Sequence, residues 1–374
     1  MYIPDIETEE REALRDMVRD LIGTGTGSSD VRRAIASANG FDAEFWRIAS
    51  DVGLPALAIA EEFGGSGGTI GDQAIAFQEL GKALIPSPLL ASTALAAPLI
   101  AALGDDAASA DHLPRIADGS LTATVALYTE AGGWTAETEP IGAESGDDGW
   151  TLSGVRRFVL DGATAGLIIV PTVTAKGPTV FAVEAGSAGL TIAPRESLDL
   201  TRRLADITFD GVAARLIGEE GTAQAAIETA VERGILALVA EQTGAAEHLT
   251  GLAVTHAKTR IQFGRLIGEF QAIKHKLADV AFDLERMKSV LARLVEESES
   301  DSPELAVTTH LAKAYASEAL FRIAAETIQV LGGIGFTWEH EAHLYFRRAK
   351  SSEVLLGQPY EHREAMLRLL ETGS

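Results

Sequence analysis

The chain has 374 residues, 46% hydrophobic and 23% charged, as in a folded protein of two or three domains. It contains no cysteine, which excludes disulfides, thiolate metal sites and a cysteine nucleophile. Its formal net charge of -23 disfavours nucleic acid and anionic membrane as partners. The acidic start does not resemble a signal peptide, and no run approaches the roughly eighteen uncharged apolar residues of a membrane span. We therefore expect a cytoplasmic protein.

The first part of the chain has helical periodicity. Apolar residues recur at helical spacing over residues 9–22, 41–52, 71–84 and 91–103, and the last of these segments is nearly all apolar. Glycine-rich loops separate them, and neither residues 23–27 nor 64–68 have the spacing of a dinucleotide-binding turn. The pattern predicts an N-terminal α-helical domain over residues 1–118.

The middle of the chain has short segments rich in Val, Ile, Thr and aromatic residues, separated by Gly, Asp, Pro and Ser. These segments are residues 121–127, 150–153, 156–160, 166–171, 179–183, 190–193 and 208–212. Their number and spacing predict an antiparallel β-domain over residues 119–216.

Helical spacing returns in the last part of the chain. Three long helices are predicted over residues 223–256, 270 to about 298, and 304–331. Shorter ones follow over residues 341–352 and 360–370. The fold class is therefore α+β, with a C-terminal four-helix-type bundle over residues 217–374 after the two preceding domains.

Two segments of this last domain carry polar groups together with glycine. One reads Thr259-Arg-Ile-Gln-Phe-Gly-Arg-Leu-Ile-Gly-Glu-Phe-Gln271, and the other reads Gln329-Val-Leu-Gly-Gly-Ile-Gly-Phe336. A guanidinium, amides, an aromatic ring and a glycine pair suit an anionic dinucleotide. A second interpretation is that Arg260 caps one helix while Gly332 and Gly333 end another.

Both segments resemble the flavin-binding signatures of acyl-CoA dehydrogenases, and the order of domains is similar to that family across the chain. Residues 332–352 resemble a bacterial branch, parts of which act on bulky acyl-CoAs such as steroid side-chain thioesters. The resemblance implies an FAD-dependent enzyme of lipid metabolism and β-oxidation that forms a trans-2-enoyl-CoA. It also implies a homo- or heterotetramer that passes electrons to an electron-transfer flavoprotein.

The resemblance also assigns cofactor-binding roles. It places Arg260 at the pyrophosphate, Phe263 on the adenine or ribose, and Gln271 at the adenosine end. A neighbouring subunit would supply its glycine-bearing segment. Phe158 would stack on the flavin ring, although a place in the β-core is an alternative, and Leu160 stands where the family often has threonine. The implied cofactor-binding residues are Phe158, Arg260, Gln262, Phe263, Gln271, Gln329, Val330, Gly332 and Gly333.

The catalytic base is less clear from the sequence. Dehydrogenation requires a base on one face of the acyl group and the flavin on the other. The family's usual glutamate position is Leu356 here, and its second position falls at Gly234. Glu241 lies seven residues further along the same helix on nearly the same face, and we predict that it is the base. It could instead be a surface residue or pair with an arginine. Weaker candidates are Glu232, Glu353 and Glu361.

The leading prediction is an FAD-dependent acyl-CoA dehydrogenase that uses Glu241. An alternative is a non-catalytic partner subunit of a heterotetrameric enzyme, favoured by Leu356 and Leu160. A third is a flavin oxidase or a superfamily member with a non-CoA substrate. The motif His340-Glu-Ala-His343 lacks the zinc-binding spacing, so no metal is expected.

Overall fold

The computed structural model describes residues 9–23, 28–127, 141–147 and 149–372. In chain order it consists of a helical region, a β-sheet region and a second helical region, as the sequence predicts. One extended apolar core joins the two helical regions, and a second core fills the interior of the sheet region. The segment Tyr128-Thr-Glu-Ala-Gly-Gly133, which stands where the family often has a flavin-binding loop, lies outside the described residues.

The N-terminal region is helical. Its helices are α1 (Glu9–Gly23), α2 (Ser28–Ala36), α3 (Ala43–Asp51), α4 (Ile70–Lys82), α5 (Leu89–Ala91), α6 (Ala97–Ala102) and α7 (Asp106–Ala117). A capping box between Thr69 and Asp72 starts α4. The predicted helix over 91–103 is interrupted by a π-helical turn, Ser92–Ala96, in which every residue is buried. The helices α2 and α7 lie outside the segments predicted to be helical.

The middle region is a seven-stranded sheet with strand order β1-β4-β5-β7-β3-β2, in which β6 also pairs with β7. Its strands are β1 (Ala123–Val125), β2 (Gly142–Gly146), β3 (Gly149–Leu160), β4 (Leu167–Thr174), β5 (Gly177–Glu184), β6 (Leu190–Arg195) and β7 (Leu204–Ile217). The strand β1 enters from α7 and runs parallel to β4, so the sheet is mixed and not wholly antiparallel. The strand β2 was not predicted because it contains no β-branched or aromatic residue.

The C-terminal region is a helical bundle, as predicted. Its helices are α8 (Gln224–Thr259), α9 (Gln271–Glu299), α10 (Leu305–Leu331), α11 (Ala342–Val354) and α12 (Pro359–Thr372). A small hairpin of β8 (Ile261–Gln262) and β9 (Arg265–Leu266) joins α8 to α9. The stretch Leu305–Phe336, which includes α10, is long and apolar enough to cross a membrane by composition alone. The apolar surface of α10 instead packs against α8, α9 and α12 within the bundle.

The helices α4 and α8 cross at very short range. A Cβ atom added at Gly81 would lie 2.1 Å from the carbonyl oxygen of Glu241, and one at Gly244 would lie 1.8 Å from that of Gln78. Only glycine permits this approach of two backbones. The crossing places Glu241 directly beside the N-terminal region.

Candidate functional site

The turn after α8 is strongly exposed. Arg260 is the C-cap residue of α8, and its backbone N–H donates to the carbonyl of His256. Its side chain is exposed and has no hydrogen-bond partner among the described residues. Phe263 has a positive φ of 52° and is 93% exposed. An exposed cation beside an uncovered ring indicates a surface that contacts another molecule.

The end of α10 provides the second signature. Gly332 ends α10 with a φ of 68°, and nothing lies within 4 Å of a Cβ atom added there or at Gly333. Gln329, one turn earlier, is exposed. The glycines therefore both end the helix and leave room for a ligand to approach the backbone.

The two signatures lie at the same end of a single chain. Val330 is buried in a cluster with Ala253 and Ala257 of α8, against which Ile267 and Ile273 also pack. Packing within one protomer thus holds the two segments near each other, and the expectation that a neighbouring subunit supplies the glycine-bearing segment to a given FAD stays a prediction. We call residues 260–271 and 329–333 together the signature rim.

The signature rim fits an anionic dinucleotide. The helix α9 begins at Gln271 and has no side-chain cap, so backbone N–H groups at its N-terminus remain available. A helix N-terminus and a guanidinium both favour phosphate oxygens. Gln262 lies in the same turn, where its amide donates to the carbonyl of Ile261.

A cavity of about 380 Å³ lies beside Phe158 and the loop that follows α11. Phe158 has a φ of 51° and is 40% exposed, and the Arg195 guanidinium lies 5.1 Å from its ring centroid. It is therefore not a core residue, and its ring can stack on a planar group. Leu160 is buried and packs in the core. The volume suits a small-molecule ring system.

Lys313 of α10 makes hydrogen bonds to the end of α11 and to the loop that follows it. The Lys313 Nζ donates to the carbonyl oxygens of Ser352, Glu353 and Gly357 at 3.2, 3.1 and 3.0 Å. Burial lowers the pKa of Lys313 to about 7. His362 bonds to the carbonyl of Leu356 at 2.7 Å, and burial lowers the pKa of His362 to about 3.

The two family base positions face each other and both are apolar. A Cβ atom at Gly234 would lie 3.2 Å from Leu356 Cδ1 and 2.3 Å from Leu95 Cδ2. Leu95 and Leu356 are 3% and 1% exposed, so they fill this space. A carboxylate at Gly234 would collide with Leu95.

Glu241 is held by two arginines. It is 8% exposed, and its Oε1 accepts hydrogen bonds from Arg202 Nη2 and Arg348 Nη1, each at 2.6 Å. Arg348 also donates from Nε to Asp199 Oδ2 at 3.0 Å. The alternative interpretation, a pair with arginine, thus describes the contacts of Glu241, and its role as a base stays a prediction. We call Asp199, Arg202, Glu241 and Arg348 the charge cluster.

Neighbouring polar groups complete this environment. Thr201 accepts hydrogen bonds from Arg348, and Ser351 donates to Asp199. Burial would raise the pKa of Asp199, but the nearby arginines and these hydroxyls outweigh it and lower the pKa. Burial raises the pKa of Asp161 to about 7, although Arg202 and Arg348 oppose the rise.

Sequence reasoning missed Asp161, Asp199 and Arg202. They lie after β3 and between β6 and β7, in segments without a periodic pattern, and no motif marks them. Of two adjacent arginines on α11, Arg348 belongs to the charge cluster and Arg347 donates to the carbonyl of Leu198.

The other candidate carboxylates lie outside the charge cluster. Glu247 pairs with Lys82 at 3.0 Å, and Glu353 pairs with Lys350 at 2.9 Å. Glu361 accepts from the backbone N–H of Gln358. Burial is the main cause that raises the pKa of Glu232, and this residue makes no contact with the charge cluster among the described contacts.

Comparisons with known proteins agree with these features. Residues 8–120 match the model of the acyl-CoA dehydrogenase N-terminal domain, and residues 219–370 match that of the C-terminal domain. The chain is 38% identical over 365 residues to acyl-CoA dehydrogenase IpdE2 of Mycobacterium tuberculosis, covering 97% of both chains.

Solved structures are similar over the whole length. A chain of the ChsE4-ChsE5 complex from Mycobacterium tuberculosis aligns with a TM-score of 0.91 and 28% identity, covering 99% of each chain. A chain from a variant of the Tcur3481-Tcur3483 steroid ACAD aligns with a TM-score of 0.89 and 29% identity, covering 98% of each. Both the sequence and the fold are therefore shared with these proteins.

Proposed function

This chain belongs to the acyl-CoA dehydrogenase family of FAD-dependent oxidoreductases, and we propose that it is the base-lacking subunit of a dehydrogenase built from two kinds of chain. The cytoplasmic assembly converts a bulky acyl-CoA, such as a steroid side-chain thioester, to a trans-2-enoyl-CoA. It then passes electrons to an electron-transfer flavoprotein. The similarity to a steroid enzyme and to a complex of two named chains supports this choice.

The observation that carries the proposal is that, among the described residues, neither family base position holds a carboxylate. These positions are Gly234 and Leu356, and a Cβ atom added at Gly234 would lie 3.2 Å from Leu356 Cδ1 and 2.3 Å from Leu95 Cδ2. Glu241 lies elsewhere on α8, and its Oε1 is engaged in ion pairs with two arginines. The base is therefore supplied by a sister chain.

The contribution of this chain is to bind and orient the cofactor. FAD, when bound, accepts the hydride from the acyl Cβ. Arg260 and the N-terminus of α9 would hold the pyrophosphate, and Phe263 and Gln271 would contact the adenosine part. Phe158, which lines the cavity of about 380 Å³, would stack on the ring system. The other residues that would contribute contacts are Gln262, Gln329, Val330, Gly332 and Gly333.

The test is to restore a base. The purified wild-type chain should bind FAD, and its visible spectrum should not bleach with straight-chain, branched or steroid CoA thioesters. Leu356→Glu places a carboxylate at the family loop position and should produce measurable bleaching. Leu356→Gln, which has nearly the same shape but no carboxylate, is the matched control and should not produce bleaching. Bleaching by the wild-type chain alone would refute the proposal.

A second candidate function is a complete dehydrogenase that uses Glu241 as its base. Glu241 favours it because this buried carboxylate borders a small cavity whose other wall is apolar, including Phe77 and Leu90. Under this alternative Glu241→Gln should abolish bleaching by substrate while FAD stays bound. Unchanged turnover in Glu241→Gln would remove Glu241 from the reaction.

A further inference from the structure

The loop after α11 forms part of the wall of the cavity of about 380 Å³ that Phe158 also lines. Leu355, Gly357 and Gln358 of this loop contribute to that wall. Two successive residues of the loop have a positive φ, which is 57° at Leu356 and 99° at Gly357. This conformation is costly for leucine, so contacts from elsewhere must hold the loop in its shape.

A fully buried lysine of α10 supplies the first of these contacts. Lys313 Nζ donates to the carbonyls of Ser352 and Glu353 near the end of α11, and to that of Gly357, three residues after the helix ends. Carbonyls near a helix C-terminus commonly accept from a cation, so the first two bonds have an ordinary capping role. The bond to Gly357 is different because it fixes a residue that lines the cavity.

Packing alone does not explain a lysine at this position. The Nζ of Lys313 also donates to Ser317 Oγ at 3.0 Å, so four oxygen acceptors surround a group that carries at most three N–H bonds. Burying an amine costs free energy that an apolar side chain of similar length would not cost. Holding several carbonyls at once therefore accounts for this residue, and filling space does not.

His362 of α12 supplies the second contact. Its Nε2 lies 2.7 Å from the carbonyl oxygen of Leu356, and its Nδ1 lies 2.7 Å from the Nδ1 of His310. A carbonyl only accepts, so the Nε2 of His362 carries a proton. Burial lowers the pKa of His362 to about 3, so the ring is neutral and its Nδ1 accepts from His310. His310 thereby fixes the tautomer that holds Leu356.

We propose that Lys313 and His362 are positioning residues for FAD, because they hold the loop after α11 in the shape that forms part of the wall of the Phe158 cavity. Neither side chain is among the described residues that line the cavity, so each acts on the flavin ring through the loop. This inference rests on the proposed function, which places the flavin ring in that cavity.

The test compares two ligands of the full-length apoprotein by isothermal titration calorimetry. ADP shares the adenosine and pyrophosphate of FAD but has no flavin ring, so it measures the signature rim without the cavity. In Lys313→Met the dissociation constant of FAD should rise roughly tenfold, the equivalent of one hydrogen bond to a charged group, and that of ADP should not change. A folded Lys313→Met variant with an unchanged constant for FAD would overturn the proposal.

Two further variants separate positioning from general stability. His362→Phe keeps a ring of similar size but removes the donor to Leu356, so it should show a smaller loss in FAD affinity alone, and it serves if Lys313→Met does not fold. Gly244→Ala is the matched control, because it disturbs the contact with Gln78 and not the loop. It should leave the ratio of the two dissociation constants unchanged. An equal change of this ratio in Gly244→Ala and Lys313→Met would refute a positioning role.

Phe158→Ala distinguishes a failure of the inference from a failure of the proposed function. If Phe158→Ala weakens FAD relative to ADP and Lys313→Met does not, the positioning role is overturned and the placement of the flavin ring stands. If neither variant changes the ratio, both are overturned. Bleaching of the wild-type chain by a thioester would overturn the base-lacking assignment without changing this ratio.

Discussion

The two halves of α8 place their polar side chains in opposite environments. In the first half, Glu241 is buried, paired with two arginines and covered by α4. At the end of the second half, Arg260 is exposed and has no hydrogen-bond partner within the described ranges. One helix thus carries a buried charge cluster at its middle and an exposed cation at its end. The comparison teaches that packing against α4 decides which polar groups of α8 pair within the protein and which face solvent.

The largest expected effect comes from removing one arginine of the charge cluster. Arg348→Met removes a partner from both Asp199 and Glu241 and leaves buried carboxylates undercompensated. We expect a loss of about 3–5 kcal/mol in the free energy of unfolding, measured by urea denaturation. Arg347→Met is the control, because Arg347 donates only to the carbonyl of Leu198 among the described contacts and should cost under about 1 kcal/mol. An equal loss of unfolding free energy in both variants would show that the ion pairs of the charge cluster do not contribute specifically to stability.

The role proposed for the exposed end of α8 is tested by the affinity of the protein for FAD. In the proposed cofactor site, Arg260→Ala would remove a charge-assisted hydrogen bond to phosphate, and it should weaken FAD binding roughly ten- to hundredfold without lowering stability. Fluorescence titration of the apoprotein, in the assembly if it requires one, measures this affinity. Lys258→Ala, two residues earlier on the exposed end of α8, should have little effect. A similar loss in both variants would point to general electrostatics in place of a specific contact.

The close crossing of α4 and α8 covers the part of α8 that carries Glu241, and it requires glycine at the contact. Gly244→Ala brings a methyl group onto the carbonyl oxygen of Gln78 and should destabilise the protein by about 1–3 kcal/mol. Gly251→Ala on the same helix meets nothing within 4 Å and should stabilise it by roughly 0.5–1 kcal/mol. Opposite signs in thermal unfolding are expected, and a stabilising Gly244→Ala would contradict the close crossing.

The last effect is a gradual pH dependence of stability at Lys313, which donates to the carbonyl of Gly357 in the loop after α11. Burial lowers the pKa of Lys313 to about 7, whereas an unfolded lysine titrates near pH 10.4. Between these values the unfolded chain binds the extra proton, so the stability contributed at this site rises with pH, by up to about 1.4 kcal/mol per unit.

Below about pH 7 both states hold the proton and the slope vanishes. Urea unfolding of the wild-type protein and Lys313→Met across this range measures the difference. The variant should lack the rise, and parallel pH profiles would disprove the assignment.

The long helices could be predicted from the sequence, whereas the charge cluster could not. Long amphipathic patterns predict α8, α9 and α10 within a few residues, because periodicity is a local property. Arg202, Glu241 and Arg348 come from three distant segments, and nothing local shows that they meet. The strand β2 was not predicted for a different reason, because its sequence Gly-Ala-Glu-Ser-Gly contains no residue type that prefers strands.

The signature rim shows the same distinction. Its residue types were recognisable, but the arrangement of its two segments depends on the packing of Val330 against Ala253 and Ala257. Likewise, burial distinguishes Phe158 from Leu160, two residues apart on β3, and the sequence alone assigns both to a strand.

The packing of Val330 has a consequence for variants of the signature rim. Because Val330 shares one small apolar cluster with Ala253 and Ala257, a larger side chain at any of these three positions would push α8 and the end of α10 apart. The spacing of the polar groups on the rim therefore depends on a buried contact beneath them.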